Sequence, residues 1–146
     1  MKTNKLDIIK RKKLNVYAVD IFTGTKSEGH IEPNYKQEFI NNLKRFDIFS
    51  HSYIFEGTTD DATNYIKGNL DLVFIDADHE YDAVKNDIEK WLSKLKEHGT
   101  ISGHDYGNHI GVSKAINERW SNIRLGNSVW SKRIWRYISS HRVIMK

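Results

Sequence analysis

Two short runs, "IDADHEYD" at residues 75–82 and "SGHDY" at residues 102–106, place Asp76, Asp78 and His79 close together, and His104 beside Asp105. Carboxylates and imidazoles in such proximity can hold a divalent cation, accept a proton from a substrate, or orient one another. Left alone, gathered carboxylates repel one another and their pKa values rise unless a cation or base answers them. A third acid, Asp20, ends the apolar run "VYAVD" at residues 16–20. Taken singly, each acid has a plainer use, because aspartate is common in strand-to-helix turns and caps the helix that follows. Of the other histidines, His51, His98 and His109 have no identifiable partner in the sequence and read as surface residues.

The elements around these runs must decide whether the acids meet. "LNVYAVDIF" (14–22) is β-branched and aromatic and predicts a buried strand. A polar loop, "TGTKSEGHIEPN" (23–34), leads into a helix from Pro33 to about Phe46, with Tyr35, Phe39, Ile40 and Leu43 on one face. "DIFSHSYIFEG" (47–57) predicts a second strand and "TTDDATNYIKG" (58–68) a short helix, with threonines and acids at its start and glycine at its end. "LDLVFID" (70–76) is almost continuously apolar, as a strand covered on both faces would be. The next helix, about 79–97, repeats apolar residues at Val84, Ile88, Trp91, Leu92 and Leu95 and is broken by Gly99. "TISGH" (100–104) is a strand, "GVSKAINERW" (111–120) a helix, and "NIRLG" and "VWSKRIWRYI" close the chain as a hairpin across Gly126 and Asn127. Alternating strands and helices predict an α/β fold, a mostly parallel sheet with helices on both faces. In such sheets ligands bind beyond the carboxyl ends of the strands, which is where Asp20, Gly57, Asp76, His104 and Asp105 fall.

The 146 residues suit one domain with one real core. With no cysteine there is no disulfide, thiol nucleophile or cysteine-bound zinc. No apolar run approaches a membrane span and the lysine-rich start lacks the apolar stretch of a secretion signal, so the expected location is the cytoplasm. The net charge of +4 is uneven: Lys2, Lys5, Lys10, Arg11, Lys12 and Lys13 face only Asp7, and no acid follows Arg119. Basic ends with Trp120, Trp130 and Trp135 could stack and neutralise a nucleic acid. At strand spacing the tryptophans serve better as packing, so nucleic acid is the disfavoured partner.

On "VYAVDIF", "FEGTTDDA" and the long block "DLVFIDADHEYDAVKNDIEKWLSKLKEHGTISGHDY" followed by "GVSKAINERW", the chain resembles the class I S-adenosylmethionine-dependent methyltransferases. Within them it resembles the branch of macrocin O-methyltransferase and its sugar-methylating relatives, over residues 14 to about 137. The resemblance implies a Rossmann-like fold and O-methylation of a sugar or small-metabolite hydroxyl. It implies that Asp20 accepts hydrogen bonds from the cofactor ribose, that Gly57, Thr58 and Thr59 approach its adenine, and that Asp76 lies at the cofactor as well. It further implies Asp78 as general base with His79 as the alternative, and Asp76, His104 and Asp105 as ligands of magnesium or another divalent metal. His104 stands where several relatives have aspartate, which favours manganese or another metal that tolerates imidazole.

One family feature is missing. The glycine-rich loop after the family's first strand has no counterpart, since no glycine precedes Gly24. The expectation is a chain truncated at its N-terminus that binds the cofactor weakly. A central strand would be lost, leaving backbone groups to be paired. Direct pairing of strands 14–20 and 70–76, a makeshift strand at residues 5–9, a second copy in a homo-oligomer or a complementing chain would each supply the partner. The competing reading is a catalytically degenerate domain that acts as a binding or assembly partner.

Overall fold

The computed structural model describes residues 14–24 and 34–134, with the backbone of Arg136–Ser139 and Arg142–Met145. Pro33, Trp135 and the segment 5–9 lie outside the described residues. The chain divides into two compact units, residues 1–62 and 63–146.

In the first unit, β1 (Val16–Asp20) and β2 (Ser52–Glu56) pair in parallel, and the register runs from Val16 opposite Ser52 to Asp20 opposite Glu56. The strand period of two puts Tyr17 and Tyr53 on one face, where their rings stack 5.1 Å apart. The crossover between them is α1 (Tyr35–Arg45), with Leu43 buried, Glu38 near its start and Lys44 and Arg45 in its last turn, the order that suits the helix dipole. The second strand is shorter than its apolar run. Ile48 is buried and donates its N–H to Leu43, a 3-10 turn occupies Phe49–His51, and Ser52 Oγ donates back to the Ile48 carbonyl at 2.9 Å. α2 (Thr59–Tyr65) follows, and the division between units falls within it.

In the second unit, β3 (Leu70–Ile75) is parallel to β4 (Leu95–Gly103), and β6 (Val129–Arg133) and β5 (Arg124–Gly126) continue the sheet antiparallel in the order β3-β4-β6-β5. The expected β5–β6 hairpin forms but turns one residue later, through Asn127 and Ser128, with Gly126 paired to Val129 and Asn127 in the left-handed region. The closing run is not one strand: it breaks at Ile134, and β7 (Arg136–Ser139) pairs with β8 (Arg142–Met145) as a separate hairpin. α3 (Tyr81–Leu92) and α4 (Ile110–Arg119) pack on each other, and α3 also packs on β3 and β4. Val84, Ile88, Trp91, Leu92, Val112, Ala115 and Ile116 form the buried faces of these helices.

α3 ends five residues before the expected limit of 97. Leu95, which fits the helical repeat, instead pairs with Leu70 in β4, and the Leu70 N–H is taken by the Lys94 carbonyl. Tertiary pairing therefore outweighs local period there. β3 also departs from its reading as a strand covered on both faces. Val73 and Ile75 are buried, whereas Leu72 is 60% and Phe74 52% exposed. Trp130 is 1% exposed, so its ring belongs to the core and is not a stacking platform. Truncating it to alanine should cost about 3–5 kcal/mol of unfolding free energy in urea. A loss below about 1 kcal/mol would show that the ring is not a packing centre.

Candidate active site

The register of β3 and β4 sets Ile75 opposite Gly103, so the residues that follow both strands emerge side by side. Gly103 makes that possible. A Cβ there would lie 2.5 Å from the Ile75 carbonyl oxygen and 2.8 Å from the Trp130 ring. His104 then donates its N–H back to Ile75 at 3.1 Å. A small recess results, floored by Ile75, Val84, Val112 and Trp130 and rimmed by Asp76, Asp78, His79, His104 and Asp105. The two acidic turns that the sequence set 26 residues apart meet here through the His79–Asp105 pair.

Asp105 is the centre of this rim. Its backbone is left-handed, φ 63°, a conformation uncommon outside glycine although aspartate tolerates it better than most residues. Its carbonyl accepts the N–H groups of Asn108 and His109, both at 3.1 Å. Its side chain, 16% exposed, reaches three partners: Oδ2 lies 3.1 Å from His79 Nε2, while Oδ1 lies 3.2 Å from His104 Nδ1 and 3.3 Å from Asn108 Nδ2. Burial pushes its pKa up, but hydrogen bonds from Asn108 and His104, with the charges of His104 and His79, outweigh burial and hold it below the ordinary carboxylate range. His104 is itself oriented, its Nε2 lying 2.8 Å from Ser128 Oγ.

His109 is not the surface residue that the sequence suggested. Its ring stacks on that of His79 with centroids 3.9 Å apart. Gly111 permits the approach, because a Cβ at that position would stand 2.3 Å from the His79 carbonyl oxygen and 2.7 Å from the Tyr81 nitrogen. Periodicity does not predict such a pair, but a glycine in the first turn of a helix, two residues after a histidine, was a usable signal of close backbone contact. Asp78 has a structural duty: its Oδ1 accepts the Glu80 N–H at 2.8 Å and turns the chain into α3. Asp76 is exposed, and together with His104 and Asp105 it offers ligand atoms within 4.8 Å of one another.

The first unit carries the other predicted residues. Asp20 ends β1, and its carbonyl accepts the Gly57 N–H at 3.0 Å, which ties the ends of β1 and β2 together. Asp20 Oδ1 accepts the Phe22 N–H at 2.6 Å, and Oδ2 has no hydrogen bond among the described residues. Thr58 and Asp61 form a reciprocal cap at the start of α2: Asp61 N–H donates to Thr58 Oγ1 at 3.2 Å and Thr58 N–H to Asp61 Oδ2 at 3.3 Å. Thr58 therefore serves as a cap, and Thr59 opens the helix. Glu56, beside Asp20 in the register, forms an ion pair with Lys36 of α1.

A family model described as a methyltransferase domain matches residues 4–106. Among curated proteins no match was found. Solved structures share the fold. CalS11, a TDP-rhamnose 3'-O-methyltransferase of calicheamicin biosynthesis, superposes with a TM-score of 0.62 at 17% identity, over 82% of this chain and 58% of its own. The O-methyltransferase NovP gives 0.67 at 13% identity over 90% and 65%. An O-methyltransferase from Bacillus cereus in complex with SAH gives 0.56 at 10% identity over 86% and 77%. The chain thus spans about three fifths of the length of CalS11 and of NovP. No helix among the described residues is long and apolar enough to cross a membrane.

A depressed carboxylate pKa in the folded state adds stability that is present above the unfolded value and is lost as pH falls through the folded one. Asp105 should therefore make unfolding stability fall on acidification below the ordinary carboxylate range. Asp105→Asn should show less of that acid-side loss in denaturation curves taken at stepped pH, and parallel curves for the two proteins would contradict the assignment.

Proposed function

The chain belongs to the methyltransferase domain family, and from that membership we propose that it transfers the methyl group of S-adenosylmethionine to a hydroxyl oxygen of a sugar or other small metabolite. The observation that carries the reading is the His79–Asp105 pair at the joined ends of two parallel strands, in a recess with an apolar floor. The cofactor supplies a methyl group already activated by its sulfonium. What remains for the protein is to place an oxygen in line with it, exclude water and receive the proton.

His79 is the better proton acceptor of the two candidates. The tautomer that donates from Nε2 to Asp105 carries its lone pair on Nδ1, and the Asp105 carboxylate stabilises the imidazolium once the proton arrives. Asp78 Oδ1 is committed to the Glu80 N–H, which fixes the turn carrying His79. Asp20 fits the ribose role, since a carboxylate can accept from both hydroxyls of a vicinal diol. Gly57 fits close approach of the adenine, and Thr58 and Thr59 border that position. Asp76 fits the transfer end of the cofactor. The donor set of Asp76, His104 and Asp105, two carboxylates and an imidazole, suits magnesium or manganese, and such an ion would lower the pKa of an acceptor hydroxyl. A cytoplasmic location and a small-molecule acceptor belong to this reading.

Transfer of a radiolabelled methyl group to a panel of sugars and hydroxylated metabolites tests it. The wild-type chain should label an acceptor oxygen, and His79→Gln should lower the rate by roughly 10²–10⁴. Asp20→Asn should raise the half-saturating cofactor concentration with less effect on the limiting rate. Labelling that survives intact in His79→Gln would remove the histidine from the chemistry, and labelling of no acceptor would overturn the function.

A further inference from the structure

We propose that His79, Asp105 and His109 form a second metal site, one for an imidazole-preferring divalent ion such as zinc. One ligand atom from each lies within 4.8 Å of the other two, and none of the three side chains is fully exposed. The 3.1 Å between His79 Nε2 and Asp105 Oδ2, which a hydrogen bond spans without an ion, is also close to the separation of about 3.3 Å expected for two ligands on one tetrahedral zinc. Two histidines and one carboxylate also leave coordination positions open for water or an exogenous oxygen.

The site is built from two fixed pieces of backbone. Asp105 and His109 are joined by the His109 N–H to Asp105 carbonyl bond, which brings the side chains of one short turn together. His79 is held against that turn by the contact that Gly111 allows, and joint ligation requires its ring and that of His109 to turn out of their stack until the nitrogen lone pairs converge. Asn108 and His104 bond the other oxygen of Asp105, Oδ1, and so orient Oδ2 toward His79, as outer partners orient ligands in metal sites generally. The oxygen-rich group of Asp76, His104 and Asp105 shares the same carboxylate, and His104 contacts its Oδ1. Donor chemistry separates the two: hard oxygen ligands suit magnesium, whereas paired imidazoles favour zinc or cobalt. An ion seated between the histidines engages the ring that transfer would use as a base, so the two uses exclude each other. The binding itself needs no methyl transfer.

Cobalt(II) and zinc titrations of the whole chain, without any methyl donor, test the proposal. Cobalt should give one equivalent of bound ion with a visible absorption spectrum, displaced by zinc, and calorimetry with zinc should give the same stoichiometry. His109→Phe keeps a ring to stack on His79 but removes a ligand, and it should weaken binding at least tenfold. His109→Cys should retain binding and shift the cobalt spectrum toward thiolate coordination. Asp76→Asn should leave zinc affinity within about twofold. Circular dichroism and melting curves establish that each variant is folded before it is scored. Zinc binding no tighter than millimolar in the wild type, unchanged binding in folded His109→Phe, or equal loss in Asp76→Asn would each overturn the site.

Discussion

A single ionised carboxylate, that of Asp105, sets the geometry of the rim at the ends of β3 and β4. Its backbone occupies a left-handed conformation that costs of order 1 kcal/mol or more for a residue with a Cβ. Its side chain is largely withdrawn from water, which adds a desolvation cost. Against these stand hydrogen bonds from Asn108, His104 and His79, each worth about 1.5–3 kcal/mol where one partner is charged. Together the three partners offset both the backbone strain and the lost hydration. The conformation is therefore held by its neighbours, and they are held by it.

That mutual dependence spreads outward through backbone contacts that no larger residue would allow. Gly103 lets β4 lie against the Trp130 ring and the Ile75 carbonyl, and so aims His104 and Asp105 across the end of β3. Gly111 lets the first turn of α4 touch the 79–81 segment and so puts the His109 ring on that of His79. Ser128, in the β5–β6 turn, orients His104, and its carbonyl takes the Tyr106 N–H at 3.1 Å. Four separate elements thus converge on one carboxylate, and the imidazoles around it are placed by main chain more than by their own side-chain freedom.

The sequence made much of this legible, and the reasons for its limits are physical. Asp76 and His104–Asp105 could be placed at the ends of neighbouring strands because β3, α3 and β4 have clear periods and their order forces a parallel pair. The end of α3 was not legible, because Leu95 satisfies the helical repeat as well as it satisfies pairing with Leu70, and only the sheet decides. The open face of β3 was not legible either: an apolar run reads alike whether one face or two are covered, and Leu72 and Phe74 are exposed. The role of His109 depended on a contact across 30 positions through a glycine, and periodicity carries no such information.

The two parallel strand pairs end in acids, yet they neutralise them differently, and the difference bears on what each can do. In the first unit, Asp20 accepts a main-chain N–H and Glu56 is answered by the ammonium of Lys36. Such a strand end offers carboxylate acceptors, which suits the proposed holding of hydroxyl groups. In the second unit the partners of Asp105 are imidazoles, the only side chains whose ordinary titration lies near neutrality. In the proposed function a strand end so equipped takes up the proton, and in the proposed metal site it holds an ion, in each case keeping the carboxylate that organises it. In the proposed function, recognition and chemistry are divided by which bases stand beside the acids, since acids alone occur at both ends.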